Sequence, residues 1–261
     1  MARHLDSPFL AIDFGNGRLK AAAFDSDYGA APSSGRASAL ATVSFDYEEL
    51  ALGWAPWVAT LGLPVAAAAS SVLGEARRAS VLARVQAAVP VPVQLNPLPG
   101  LELDVRSPET VGFDRLYAAR ATHERGLDPA LVVDVGTAVT VDAVAAGVFL
   151  GGAIAPGPDL LARSLAGPDE LYSVTPSPGA PALGKQTRAA LEAGVVHTLV
   201  GAVLRLAERI PEEAGFAEPE LVLTGGGRAY VEGPLRGAGW SPVVAPELVL
   251  EGVFHAARDA S

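Results

Sequence analysis

Two places in the 261-residue chain carry the same succession of apolar and polar positions. Near the N-terminus an apolar run from Phe9 reaches Asp13-Phe14-Gly15-Asn16-Gly17 and resumes as alternation from Arg18 to Phe24. In the middle, Leu131 to Val133 reach Asp134-Val135-Gly136-Thr137, and alternation resumes from Ala138 to Asp142. An apolar run, a small turn and an alternating run predict a strand that folds back into a second strand. The same reading extends along the chain. The first half predicts strands at 9–13, 18–24, 38–45 and 64–70 and helices at 47–60, 75–88 and 112–125, with a turn at 25–37. The second predicts strands near 131–134, 138–144, 147–152 and 220–223, and helices near 158–165, 187–209 and 247–258, with a Pro/Gly-rich loop at 174–186. Three strands, then helix–strand–helix, written twice, predict an α/β duplication, with domains over residues 1–118 and 119–261.

Composition narrows the chemistry. The formal net charge of -10 argues against non-specific nucleic-acid binding, which needs a basic surface. The absence of cysteine excludes disulfides, thiolate zinc sites and a cysteine nucleophile, and fits a cytoplasmic protein. The four histidines, His4, His123, His197 and His255, lack metal-ligand spacing. No stretch approaches the roughly 20 uninterrupted apolar residues of a membrane span.

Several motifs remain. In Asp13 to Lys20, strand alternation puts Arg18 and Lys20 on one face and Leu19 on the other. The amides of Gly15 to Gly17 and the Lys20 ammonium can then face one anion. Asn16-Gly17 is equally a strong type I′ turn pair, which would make this an ordinary hairpin. A dinucleotide fingerprint fails, because Lys20 replaces the third glycine and a strand follows. Thr137, Thr140 and Asp142 are polar positions in an apolar stretch, where a ligand or ion is a natural partner. The segment Gly179 to Gln186 misses a P-loop, since Gln186 replaces the required hydroxyl. Asp114 either stabilises a helix start through the dipole or accepts a hydroxyl proton, with Arg115 beside it to grip an anion. The glycines of Thr224-Gly225-Gly226-Gly227 let a flat group lie against the backbone, or simply make a tight turn.

In order, the chain carries Asp-x-Gly-Asn at 13–16, Ser70-Ser71-Val72, and Pro-x-x-Val-Gly-x-Asp-Arg at 108–115. Asp-x-Gly-Thr-Ala-x-Thr-x-Asp at 134–142, Gly-Gly-x-Ile-x-Pro-Gly at 151–157 and Gly-Lys-x-Thr at 184–187 follow. Thr-Gly-Gly at 224–226 and Pro-x-Leu-x-Leu-x-Gly at 246–252 complete the set. This series resembles the type III pantothenate kinases, of the acetate and sugar kinase, Hsp70 and actin superfamily. The resemblance implies duplicated actin-like (ribonuclease H-like) domains facing a central ATP cleft. It implies ATP-dependent phosphorylation of pantothenate to 4'-phosphopantothenate, the first step of coenzyme A synthesis. By position, Asp13, Phe14, Gly15, Asn16, Gly17, Arg18, Leu19 and Lys20 would hold the ATP phosphates, with Asp13 near Mg²⁺, and Thr137 would contact ATP. Asp114 would be the general base, and Gly112, Phe113, Asp114, Arg115 and Thr187 would bind pantothenate, with Arg115 on its carboxylate. Asp134 would hold a monovalent cation, potassium or ammonium, and the family implies a homodimer. Two departures stand out. Gly17 replaces the usual Thr or Ser, and Gly167-Pro168-Asp169 stand in the stretch that usually carries a Thr-Ala pair. The rival reading is a regulatory or accessory homologue that binds ATP or pantothenate with weak or no catalysis.

Overall fold

A computed structural model describes residues 8–25, 37–165 and 173–259. Its elements begin with β1 (Phe9–Phe14), β2 (Arg18–Phe24), β3 (Ala39–Asp46), α1 (Leu50–Ala59), β4 (Ala66–Ser71) and α2 (Glu75–Gln86). Then come β5 (Val93–Leu95), β6 (Glu102–Leu103), α3 (Phe113–Glu124), β7 (Ala130–Val135), β8 (Ala138–Ala145) and β9 (Val148–Pro156). The last are α4 (Pro158–Leu165), α5 (Thr187–Ala214), β10 (Glu220–Thr224), α6 (Glu232–Gly237), β11 (Val243–Val244) and α7 (Leu248–Asp259). The expected turn at 25–37 and the stretch 165–171 lie, apart from Asp25, Ala37 and Leu165, outside the described residues.

The chain divides into two units. The first comprises residues 1–102, 106–126 and 247–261, and the second 103–105 and 127–246. In the first, the strand order is β3-β2-β1-β4-β5. The β1–β2–β3 meander is antiparallel, and β4 and β5 run parallel to β1. In the second, the order is β11-β10-β7-β8-β9-β6. With β6 set aside, β7–β8–β9 repeat the meander and β10 and β11 repeat the parallel pair. The α/β duplication expected from the two hairpins is therefore present strand for strand.

Alternation along β1 and β2 decides which face each layer covers. Leu10, Ile12, Phe14 and Leu19 pack with Leu50, Trp54 and Val58 of α1 and Val81 and Val85 of α2. The opposite face carries Phe9 and Phe24, whose rings each lie 5.1 Å from that of Phe254 in α7. In the second unit, Leu199, Val203 and Ala207 of α5 pack against Val133, Val139 and Val141. By length and composition alone α5 could cross a membrane, but these residues line a core.

The division differs from the expected boundary between residues 118 and 119, which falls inside α3. The physical reason is the return of α7. Arg125, just past α3, makes two hydrogen bonds of 2.9 and 2.5 Å to the buried Glu251 of α7. Arg120 of α3 pairs with Asp259. A buried Arg–Glu pair broken on one side leaves an uncompensated charge, so these contacts hold the C-terminal helix to the first unit.

Candidate active site

In the first unit, Asp13 lies opposite Lys20 of β2 and beside Ser70 of β4, and Lys20 lies opposite Ser44 of β3. Residues paired across a sheet share a face, so Ser44, Lys20, Asp13 and Ser70 form one polar row across the sheet. Asp13 and Ser70 are buried. Ser70 Oγ has no hydrogen-bond partner among the described residues. An orphaned buried hydroxyl beside a buried carboxylate asks for a ligand.

The turn after β1 leaves Asn16, Gly17 and Arg18 exposed. Neither Asn16 nor Gly17 is among the described residues of positive φ. A type I′ turn needs positive φ at both, so this is not the ordinary hairpin that Asn-Gly pairs favour. Other contacts set its shape. Tyr47 Oη donates to the Gly15 carbonyl at 2.7 Å, and Arg77 Nη1 donates to the Asn16 carbonyl at 3.2 Å. The Arg77 guanidinium lies 4.5 Å from the centre of the Tyr47 ring. Burial, reinforced by the Asp13 charge, pushes the Tyr47 hydroxyl up to about 12, so it stays a donor through the working pH range. Arg18 pairs with Asp46 at 3.2 Å in a solvent-exposed bridge. The side chains of Phe14 and Leu19 belong to the core, so only their backbone is available to a ligand.

Gly112 caps α3, and Phe113, Asp114 and Arg115 form its first turn. Phe113 packs on Tyr117 with ring centres 5.8 Å apart. The Arg115 backbone N–H donates to Asp114 Oδ1 at 2.8 Å. Desolvation raises the Asp114 pKa above the usual carboxylate range, against the opposing pull of that hydrogen bond and of the Arg115 and Lys20 charges. A carboxyl whose burial outweighs two nearby cations is poised to take up a proton.

The second unit repeats the row with different chemistry. Asp134 lies opposite Thr140 of β8 and beside Thr224 of β10. Thr140 stands where the first unit has Lys20, so a hydroxyl replaces the ammonium, and Thr224 stands where it has Ser70. The turn from β10 crosses the end of β7: the Gly227 N–H donates to the Val135 carbonyl at 2.8 Å. Gly225 has φ +90°, and a Cβ there would overlap Asp134 Oδ1 and the Val135 carbonyl. The glycines thus serve a close backbone approach beside Asp134. Thr137 is exposed in the β7–β8 turn, and Thr187 is exposed at the start of α5.

No group of three or more His, Asp or Glu assembles among the described residues. A protein-only metal cage is therefore absent there. One carboxylate with a neighbouring hydroxyl, Asp13 with Ser70, does suit Mg²⁺, which keeps waters and takes substrate phosphates beside one or two carboxylates. Sequence reasoning missed the roles of Ser70, Tyr47 and Arg77. Ser70 was detectable as a polar end to the run Ala66–Ala69, whereas Tyr47 and Arg77 carry no local signal.

Comparison with known proteins bears on the family of the chain. The sequence model of a family described as type III pantothenate kinase matches residues 9–209. A type III pantothenate kinase of Alkalilimnicola ehrlichii is 39% identical over 165 residues, 62% of this chain and 64% of that protein. One of Nocardia farcinica is 38% identical over 160 residues, 60% of each chain. The chain thus spans less than two thirds of the length of these curated relatives. Two solved structures share the fold at 16% identity and TM-score 0.58. A provisionally assigned Baf family transcriptional activator from Campylobacter jejuni covers 97% of this chain and 98% of its own. A provisionally assigned 2-dehydro-3-deoxygalactonokinase from Sinorhizobium meliloti covers 96% of both.

Proposed function

We infer, from the premise that this chain belongs to the type III pantothenate kinase family, that it transfers the γ-phosphoryl group of ATP to the primary hydroxyl of pantothenate. The observation that carries the reading is Asp114. A carboxyl with a raised pKa, in the first turn of α3 and within the electrostatic reach of Lys20, is suited to accept a hydroxyl proton. A protein that only bound these ligands would have no use for such a base.

The roles follow from the chemistry of each row. Lys20 and the turn amides offer positive charge and donors to the ATP phosphates, and Asp13 with Ser70 would hold Mg²⁺. The ion neutralises phosphate charge when bound. By the family resemblance we assign Arg115, with Gly112 and Phe113, to the pantothenate and its carboxylate, and Thr187 to the same substrate. In the second unit Asp134 has hydroxyls for row neighbours instead of an ammonium, and this anionic, oxygen-rich set suits a potassium or ammonium ion. Thr137 is assigned to ATP. As the substrate hydroxyl oxygen attacks the γ-phosphorus, its proton passes to the Asp114 carboxylate and ADP leaves. Phosphoryl transfer asks chiefly for positioning and charge stabilisation, which these groups supply.

The test is ADP release by the purified chain with Mg·ATP, with and without pantothenate and potassium. Release that requires both pantothenate and the monovalent cation is expected. Release indifferent to pantothenate, or none at all, removes the assignment.

A further inference from the structure

The turn between β1 and β2 owes its shape to two side chains that lie outside both strands. Tyr47 packs against the core formed by Leu10, Ile12, Phe14 and Leu19, on the face covered by α1 and α2. Arg77 comes from α2 on that same side and stacks on the Tyr47 ring. Their donors hold the carbonyls of Gly15 and Asn16. A trans peptide is planar, with its N–H directed opposite to its C=O. Fixing these two carbonyls toward Tyr47 and Arg77 therefore turns the N–H groups of Asn16 and Gly17 the other way. Lys20 alternates with the core residue Leu19, so it too faces away from the α1/α2 layer.

We propose that Tyr47 and Arg77 are positioning residues that lock two peptide planes of the phosphate turn, so that the Asn16 and Gly17 amides, rather than the Gly15 and Asn16 carbonyls, meet the polyphosphate. The proposal rests on the assignment of this turn to ATP. The need for a lock is specific to this sequence. With glycine at both 15 and 17, the Gly15–Asn16–Gly17 backbone has more conformations open to it than one with a Thr or Ser at the third position. A flipped peptide would present a carbonyl oxygen to an anion. The Arg77 charge adds a second effect: from the carbonyl side its positive field acts across the turn on the phosphates, and its stacking on Tyr47 keeps it in place.

The experiment uses the full chain and two readouts: calorimetric binding of Mg·AMPPNP, and steady-state kinetics with ATP and pantothenate varied separately. Tyr47→Phe keeps the ring that packs on the core and removes only the donor. It is expected to weaken Mg·AMPPNP binding and raise the ATP KM about 2- to 10-fold, the range of one hydrogen bond, with the pantothenate KM unchanged. Arg77→Ala is expected to exceed this, because it loses a donor and a charge, and Arg77→Lys to recover part of the loss. Thermal midpoints within a few degrees of wild type exclude a folding defect, which would reduce the active fraction without moving either KM. Unchanged Mg·AMPPNP affinity in both Tyr47→Phe and Arg77→Ala overturns the lock. A wild-type chain that binds Mg·AMPPNP, loses affinity in Tyr47→Phe, yet releases no ADP with pantothenate upholds the lock and removes the pantothenate assignment instead. A wild-type chain that binds no nucleotide overturns both.

Discussion

A carboxylate in the first turn of a helix ordinarily benefits from the dipole, yet at Asp114 burial prevails and the pKa rises. Catalysis and stability then pull in opposite directions on one side chain. The base must be ionised, so kcat/KM is expected to fall as pH drops through the raised pKa, with an acid limb at higher pH than an ordinary carboxylate gives. Asp114→Asn is expected to lower kcat by about 10²- to 10⁴-fold, with Mg·ATP binding retained, and to remove that limb from any residual rate. An Asn variant of near wild-type kcat takes the role of base from Asp114. Stability has the opposite sign. The folded chain holds the Asp114 proton more tightly than the unfolded chain, so this group's contribution is fully present below the unfolded pKa and is lost as pH rises through the folded one. The amide that Asp114→Asn introduces cannot ionise. The variant should therefore melt above wild type at pH 7, with the gap closing in acid below the ordinary carboxylate range; a scan with no gap at pH 7 contradicts the burial argument. Asp13 and Asp134 stand out in the sequence because each ends an apolar run at a turn, whereas Asp114 is marked only by its place at a helix start and by the family motif around it. Tyr47 and Arg77 were not legible, because they act on backbone carbonyls about 30 and 60 positions away and leave no periodic trace.

Elements were legible in proportion to their length. The eight-residue β3 alternates half-buried and exposed positions, and that period marks it within a residue of its observed bounds. The strands β5, β6 and β11 have three, two and two residues, too few for a period to register. Their existence depends on partners supplied by the rest of the fold. Contact between helices is likewise hidden from one-dimensional pattern, and Gly252 in α7 shows why its motif ends in glycine. A Cβ there would overlap the Tyr117 carbonyl oxygen of α3, so the two helices meet more closely than any side chain allows. Alanine is the better helix former in isolation by about 1 kcal/mol, so propensity alone forecasts a gain. Packing reverses it. Gly252→Ala is expected to destabilise the chain by about 1–3 kcal/mol in urea denaturation, as overpacked sites do. A neutral or stabilising result means that α7 can shift from α3 at little cost. Gly225→Ala tests the second unit in the same way, with strain from φ +90° added to a clash beside Asp134. Its expected mark is a loss of cation-dependent activity larger than the loss of stability, read from ADP release against potassium concentration.

At the scale of the whole molecule, the duplication was readable from two Asp-x-Gly phrases, but the boundary between units was not. Residues 247–261 rejoin the first unit through ion pairs from α3 and its C-terminal Arg125, and nothing near residue 118 announces that return. Association between chains is a property of the same scale, and one exposed face of α5 allows it to be tested. Ala190, Gly194, Thr198 and Gly201 lie exposed along this 28-residue helix, three or four positions apart and so on one side of it. Small side chains let a second helix approach closely, and the opposite side of α5 is already committed to the core of its own unit. The family resemblance leads to the expectation of a homodimer, and Gly194 is where the part played by this face can be tested. Gly194→Arg is the discriminating variant. No atom lies within 4 Å of a Cβ built at Gly194, so the folded chain accommodates the substitution, and arginine favours a helix over glycine. Any loss of assembly is then a loss at the interface and not of the fold. Light scattering should give twice the chain mass for wild type and the single-chain mass for Gly194→Arg, with thermal midpoints of the two measured at low micromolar concentration. A Gly194→Arg dimer as tight as wild type moves the interface away from α5, and a wild-type monomer at that concentration removes the dimer altogether.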